Sequence, residues 1–262
     1  MLCVICRLHQ LECCVPETLF VKTFSKHHRC LYISGILLNY LYENKSINTC
    51  IIYCFVSVMD ERFKHPFTCI IAGPTASGKS VFTIRLINEA ANLITPPPEK
   101  IMYCYELYQP IFSELPYVTF NEGLPDNSEF DGKQRTLLII DDLMSEAGDG
   151  VSNIFTKISH HRNVSVIFLT QNLFYKSKQS RTMNLNTQYL VLFKNPRDAL
   201  QVATLGRQMY PNNSKFLVEA FKDATEKPYG YLLLDLRADT LEKFRIRTNI
   251  FPGERQYVYI PK

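Results

Sequence analysis

Phe67-Thr68-Cys69-Ile70-Ile71-Ala72 runs directly into Gly73-Pro74-Thr75-Ala76-Ser77-Gly78-Lys79-Ser80, and how these residues are read decides the fold. The first six form an apolar run of the kind that builds a buried strand. The next eight satisfy G-x-x-x-x-G-K-[ST] in full. Beyond them, Phe82, Leu86, Ala90 and Leu93 recur at helical spacing, which predicts a helix over residues 81–92. Strand, loop and helix therefore follow in the order that a phosphate-binding loop requires. The residue types match that chemistry. Gly73 and Gly78 let the backbone turn its N–H groups toward phosphate oxygens. The helix N-terminus adds partial positive charge at the same place. Lys79 can reach β- and γ-phosphates, and the Ser80 hydroxyl can ligate magnesium. Residues 73–80 (Gly73, Pro74, Thr75, Ala76, Ser77, Gly78, Lys79 and Ser80) are thus the expected nucleotide-binding loop.

Two further apolar runs end in polar groups. Thr136-Leu137-Leu138-Ile139-Ile140 leads into Asp141-Asp142. A continuous apolar run suits a parallel strand covered on both faces, and open α/β sheets bind ligands beyond the carboxyl ends of their strands. Asp141 is expected to hold magnesium, and Asp142 to polarise the attacking water as general base. The alternative is an acid pair at a helix N-terminus. Asn163-Val164-Ser165-Val166-Ile167-Phe168-Leu169-Thr170 leads likewise into Gln171. Gln171 either orients water near a γ-phosphate or is a solvated strand end. Arg162, just before that strand, either pairs with a surface carboxylate or serves a neighbouring subunit as an arginine finger. Arg181 is the second candidate for that role.

The rest of the chain continues the α/β pattern. Residues 100–105, 117–120, 189–193 and 229–236 read as strands, and residues 151–161 and 215–225 as helices. Pro96-Pro97-Pro98 is expected to end the first helix, and residues 143–150 to form a mobile loop. The fold class is therefore α/β, a mostly parallel sheet flanked by helices.

Composition and cysteine placement divide the chain. It has 262 residues, 46% hydrophobic and 21% charged, which excludes a disordered tail, a collagen-like fibre and a polytopic membrane protein. Seven of the nine cysteines lie in the first 58 residues, leaving only Cys69 and Cys104 beyond. Cys3-x-x-Cys6, Cys13-Cys14 and His27-His28-x-Cys30 contain zinc-ligand types, but their spacing matches no zinc finger. The better reading of residues 1–58 is a poorly ordered extension, or upstream sequence joined to a natural start at Met59. Cys69 and Cys104 are expected to be reduced, buried and apolar in role. Residues 59–175 hold nine Lys/Arg against fourteen Asp/Glu, whereas residues 176–262 hold fifteen against eight. A basic surface of that kind suits a nucleic-acid backbone, or merely solvates the C-terminal half. Arg245 and Arg247 alternate with apolar residues as if on one face of an exposed strand.

Taken together, 73–80, the run into Asp141-Asp142, and Arg162 followed by the strand into Thr170-Gln171 resemble the HerA–FtsK superfamily of DNA-pumping ATPases. Met59-Asp60-x-Arg62-x-x-His65-Pro66-Phe67, Phe193-Lys194-Asn195-Pro196-Arg197-Asp198 and Arg247-Thr248-Asn249-Ile250-Phe251-Pro252 are more closely similar to genome-packaging ATPases of Polinton/Maverick elements, adintoviruses and poxviruses. The resemblance covers residues 59–262. It implies a RecA-like ASCE P-loop NTPase that uses ATP and Mg2+. It also implies a homo-oligomeric ring that drives double-stranded DNA into a capsid, with capsid or portal-vertex proteins as partners and no membrane. Such a protein would work inside the host cell, in the nucleus or at the site of virion assembly, or within the virion. Walker A carries over to 73–80, Walker B to Asp141, the polar strand-end residue to Gln171, and the arginine finger best to Arg162. Where the superfamily often has Glu as the second Walker B acid, this chain has the shorter Asp142. Other P-loop functions remain open on residues alone: a small-molecule kinase, a helicase, or a nucleotide switch that does not hydrolyse.

Overall fold

The computed structural model describes residues 20–22, 32–33, 36–37, 61–143, 148–172 and 178–261. Most of residues 1–58, with their candidate zinc ligands, and residues 144–147 of the expected mobile loop lie outside the described residues.

The apolar runs of the sequence become the centre of one large sheet. Its strands are β1 (Phe20–Lys22), β2 (Thr68–Ala72), β3 (Lys100–Tyr105), β4 (Thr119–Glu122), β5 (Thr136–Asp141), β6 (Val164–Thr170), β7 (Tyr189–Phe193), β8 (Tyr231–Asp235), β9 (Ile246–Thr248) and β10 (Tyr257–Tyr259). Their spatial order is β1-β10-β9-β8-β7-β2-β6-β5-β3-β4. From β4 to β7 all neighbours are parallel. β8, β9 and β10 then extend the sheet by antiparallel pairing, and β1 pairs parallel with β10.

Alternation along each strand builds two cores, one per face. Ile70, Leu138, Ile140, Val166, Phe168, Leu190 and Leu232 point to one side. There they meet Phe155 and Ile158 of α2 (148–161) and Phe216, Leu217 and Phe221 of α5 (Lys215–Ala224), with Val202 of α4 (Ala199–Met209) in the same cluster. Cys69, Ile71, Leu137, Ile139, Ile167, Leu169 and Val191 point to the other side, against Phe82, Leu86 and Ile87 of α1 (Lys79–Asn88). α2 is built from consecutive turns, Gly148–Asn153, the π-helical Ile154–Ile158, and Ser159–His161. α3 spans Lys178–Leu185.

β6 stands between β2, which leads into the phosphate loop, and β5, which ends in Asp141. A mostly parallel sheet with that strand order, covered by helices on both faces, is the RecA-like P-loop NTPase fold of the ASCE type. Cys69 and Cys104 are free and fully buried in it. Burial pushes the Cys104 thiol up to about 12, and Cys69 is raised for the same reason. Both therefore stay protonated and serve as small apolar residues.

Two expectations are corrected. The first helix does not run to the prolines. α1 stops at Asn88, a separate turn covers Ala90–Leu93, and Ile94–Thr95 pairs parallel with Phe63–Lys64. That pairing requires extended backbone before Pro96 is reached. Arg245 and Arg247 are not on an exposed strand face either. The Arg247 side chain is 3% exposed; it donates to the Glu61 carbonyl at 2.7 Å and faces the carboxylates of Glu61 and Asp235 at 3.7 and 3.9 Å. Arg245 donates to the carbonyls of Asp235, Arg237 and Thr240, and Arg237 pairs with Asp235 at 3.1 Å. Part of the C-terminal positive charge therefore ties β8 and β9 to the segment before β2. Removing one partner of a buried ion pair is costly because the other charge stays buried. Arg247→Ala is expected to lose roughly 3 kcal/mol of stability in chemical denaturation. An unchanged midpoint would show that this network carries no weight.

Candidate nucleotide site

The site forms where the parallel strands end. β6 holds its two neighbours in register there: the Gly73 N–H donates to the Thr170 carbonyl at 3.2 Å and the Asp142 N–H to the Leu169 carbonyl at 3.3 Å. The phosphate loop, Asp141-Asp142 and Gln171 therefore emerge side by side.

Within the loop, two glycines are required. A β-carbon on Gly73 would lie 2.6 Å from Phe193 Cβ and 2.7 Å from Ser77 Oγ. Gly78 has φ of 106°, a conformation L side chains rarely adopt. The loop closes through Ser77 N–H to the Pro74 carbonyl at 3.2 Å, and α1 begins with Phe82 N–H to the Gly78 carbonyl at 2.9 Å. Thr75 and Ala76 are exposed at its crest. Lys79 Nζ donates to the carbonyls of Gly73 and Pro74 at 2.7 and 3.0 Å. Burial draws the Lys79 pKa below its ordinary value, while the charges of Asp141 and Asp142 act against that. Ser77 Oγ is buried and has no hydrogen-bond partner, so a phosphate oxygen at the loop would satisfy it.

The two aspartates have different environments. Asp141 is half-buried, and Tyr103 OH donates to its Oδ2 at 2.8 Å. Burial raises the Asp141 pKa, with Asp142 adding to the rise; the Tyr103 hydrogen bond and Lys79 oppose it. Asp142 is exposed and sits at φ 55°, a left-handed conformation that Asp tolerates better than most residues. Gln171 Nε2 donates to Asp142 Oδ2 at 2.8 Å. The acid-pair alternative of a helix N-terminus does not hold, since Asp141 ends β5 and neither Asp142 nor Leu143 is helical.

The structure thus brings together Lys79, Asp141, Asp142 and Gln171. It does not bring Arg162 to them. Arg162 precedes β6 at its amino end, exposed, with Nη1 donating to the Phe130 carbonyl at 3.3 Å. The seven residues of β6 span about 20 Å, so Arg162 lies at the opposite edge of the sheet. Arg181 is in α3; its side chain is outside the described residues. Sequence reasoning missed Tyr103, the hydroxyl that orients Asp141. Its only sequence signal is a polar-tipped residue within a buried strand run.

The donor set fits a nucleoside triphosphate with magnesium. Backbone N–H groups, Lys79 and Ser77 suit phosphate oxygens, and the Ser80 hydroxyl with the Asp141 carboxylate offers the hard oxygen ligands magnesium takes. Among the described residues there is no cluster of three or more His, Cys, Asp or Glu side chains placed to hold a metal, and no helix is long and apolar enough to cross a membrane.

No family model and no curated protein matches the chain. Among solved structures it is similar to the X-ray structure of the Legionella pneumophila ATPase DotB, at 12% identity and a TM-score of 0.36, over 64% of this chain. The match spans about half of DotB, 54% of that chain.

The raised pKa of Asp141 carries a stability consequence. A carboxyl whose folded pKa is raised contributes stability below the ordinary carboxylate range, and that contribution is lost as pH rises through the folded value. Asp141→Asn removes the cost of the buried charge and leaves Tyr103 an amide oxygen to donate to. The nucleotide-free variant is expected to melt a few degrees above wild type at pH 7. That difference shrinks as pH falls through the folded pKa. Thermal melts of both proteins between pH 4 and 8 check it, and equal melting temperatures at pH 7 would contradict the electrostatic reading.

Proposed function

We propose that the chain is a magnesium-dependent ATPase that translocates double-stranded DNA, working as a homo-oligomeric ring that packages a viral or transposon genome into a capsid. The observation that carries the hydrolytic part is the 2.8 Å contact between Asp142 and Gln171, at the sheet edge shared by Asp141 and the phosphate loop. A loop that only held phosphate would have no use for that pair. DNA as the object of the work, and capsid or portal-vertex proteins as partners within the host cell, rest on the resemblance of residues 59–262 to packaging ATPases.

Each residue has a role in this reading. Lys79 leaves the carbonyls of Gly73 and Pro74 and turns to the β- and γ-phosphates, which attract it more strongly than neutral carbonyls do. Ser80 and Asp141 would hold magnesium, which would supply charge that neutralises the phosphates. Gln171 donates its amide N–H to Asp142, leaving its carbonyl oxygen to accept from the attacking water. Asp142 takes the proton from that water as it attacks the γ-phosphorus, and the bond from that phosphorus to the β–γ bridging oxygen breaks, with ADP as the leaving group. The glutamine thus extends the reach of an acid one methylene shorter than Glu. Arg162 lies at the far edge of its own sheet, so in this reading it serves a neighbouring subunit, where it stabilises charge on the transferring phosphoryl group.

Steady-state phosphate release with and without duplex DNA, paired with equilibrium ATP binding, tests this. Wild type is expected to hydrolyse ATP faster with duplex DNA. Lys79→Ala is expected to lose binding or turnover. Arg162→Ala is expected to bind ATP as wild type does while turnover falls about a thousandfold, and to poison mixed rings. Normal hydrolysis by Arg162→Ala would move the finger to Arg181. DNA-independent transfer of phosphate to a small acceptor by a monomer would overturn the translocase reading.

A further inference from the structure

We propose that Tyr229 is the platform on which the nucleobase stacks, in a groove continuous with the phosphate loop. This rests on the reading of residues 73–80 as a nucleotide site and extends it to the other end of the ligand. The groove has a volume of about 320 Å³ and is lined by Ala76, Ser77, Lys194, Glu226, Lys227 and Tyr229. That is the lower end of the size range of small-ligand pockets. Two of its lining residues belong to the phosphate loop, so a ligand whose phosphates sit on that loop has its next groups at the groove.

Tyr229 has three features of a ligand platform. First, it is 72% exposed, although a tyrosine ring ordinarily packs much of its area away from water. Second, it holds φ at 61°, an outlier for a bulky residue, of a kind that clusters at ligand clamps. Third, its position is set against the loop: a β-carbon on Gly78 would lie 3.2 Å from Tyr229 Cδ1 and 3.3 Å from Tyr229 Cβ. The ring therefore borders the loop at Gly78 and still presents its surface to solvent. Lys194 and Lys227 bring positive charge to the groove wall, and Glu226 brings a carboxylate able to accept from an exocyclic amine.

Stacking of a base on an aromatic ring is tolerant of base identity but lost on truncation to alanine. The full chain is titrated with ATP and, separately, with inorganic tripolyphosphate, which has the phosphates and no base. Tyr229→Ala is expected to weaken ATP binding about tenfold, leave tripolyphosphate binding unchanged and melt like wild type. Tyr229→Phe is expected to retain ATP affinity. If Tyr229→Ala binds ATP as wild type does, or loses affinity for both ligands equally, the ring supports the loop and does not hold the base, and the proposal is overturned. Failure of wild type to bind either ligand would sink the nucleotide reading itself, an outcome separable from the others.

Discussion

Strand β6 carries two backbone hydrogen bonds on which the rest of the site depends. The Thr170 carbonyl accepts from Gly73 and the Leu169 carbonyl from Asp142. One strand thereby sets the level of the phosphate loop on one side and of the carboxylates on the other. A slip of one residue would exchange the two faces of β6, moving Val166 and Phe168 away from α2 and Ile167 and Leu169 away from α1. The apolar alternation that fills both cores therefore also fixes where the chemistry sits. Gln171 follows directly from Thr170, so its contact with Asp142 is a consequence of that register.

Much of this was legible in the residues. The continuous apolar runs of β2, β5, β6 and β7 have one physical solution, a parallel sheet covered on both faces, and the loop motif orients the first of them. What the sequence did not disclose were contacts made across long separations. Tyr103 meets Asp141 only because β3 pairs with β5. Arg247 reads as surface charge until β9 is seen between β8 and β10, with Asp235 and Glu61 as neighbours. Ile94 fits a helical pattern but is drawn into pairing with Phe63.

The stretches beyond the core motifs that carried the family resemblance have local structural work. The Asn195 side chain accepts from the Arg197 N–H and donates to Asp198, turning the chain from β7 into α4. Phe251 packs edge-on to Phe82 with the Arg85 guanidinium over its ring. His65 bonds to Asn163 and Ser165 at the amino edge of the sheet. These groups hold the loop helix and the strand ends in place, at a distance from the reacting atoms. Opposite edges of one sheet thus carry Arg162 and the loop, carboxylate and glutamine groups.

In the proposed mechanism Asp142, held by Gln171, acts on water after nucleotide has bound. Single-turnover ATP hydrolysis by Asp142→Asn, measured alongside ATP affinity, tests it most directly. Wild-type affinity is expected, with hydrolysis slowed about a hundredfold or more. Hydrolysis at the wild-type rate would contradict it.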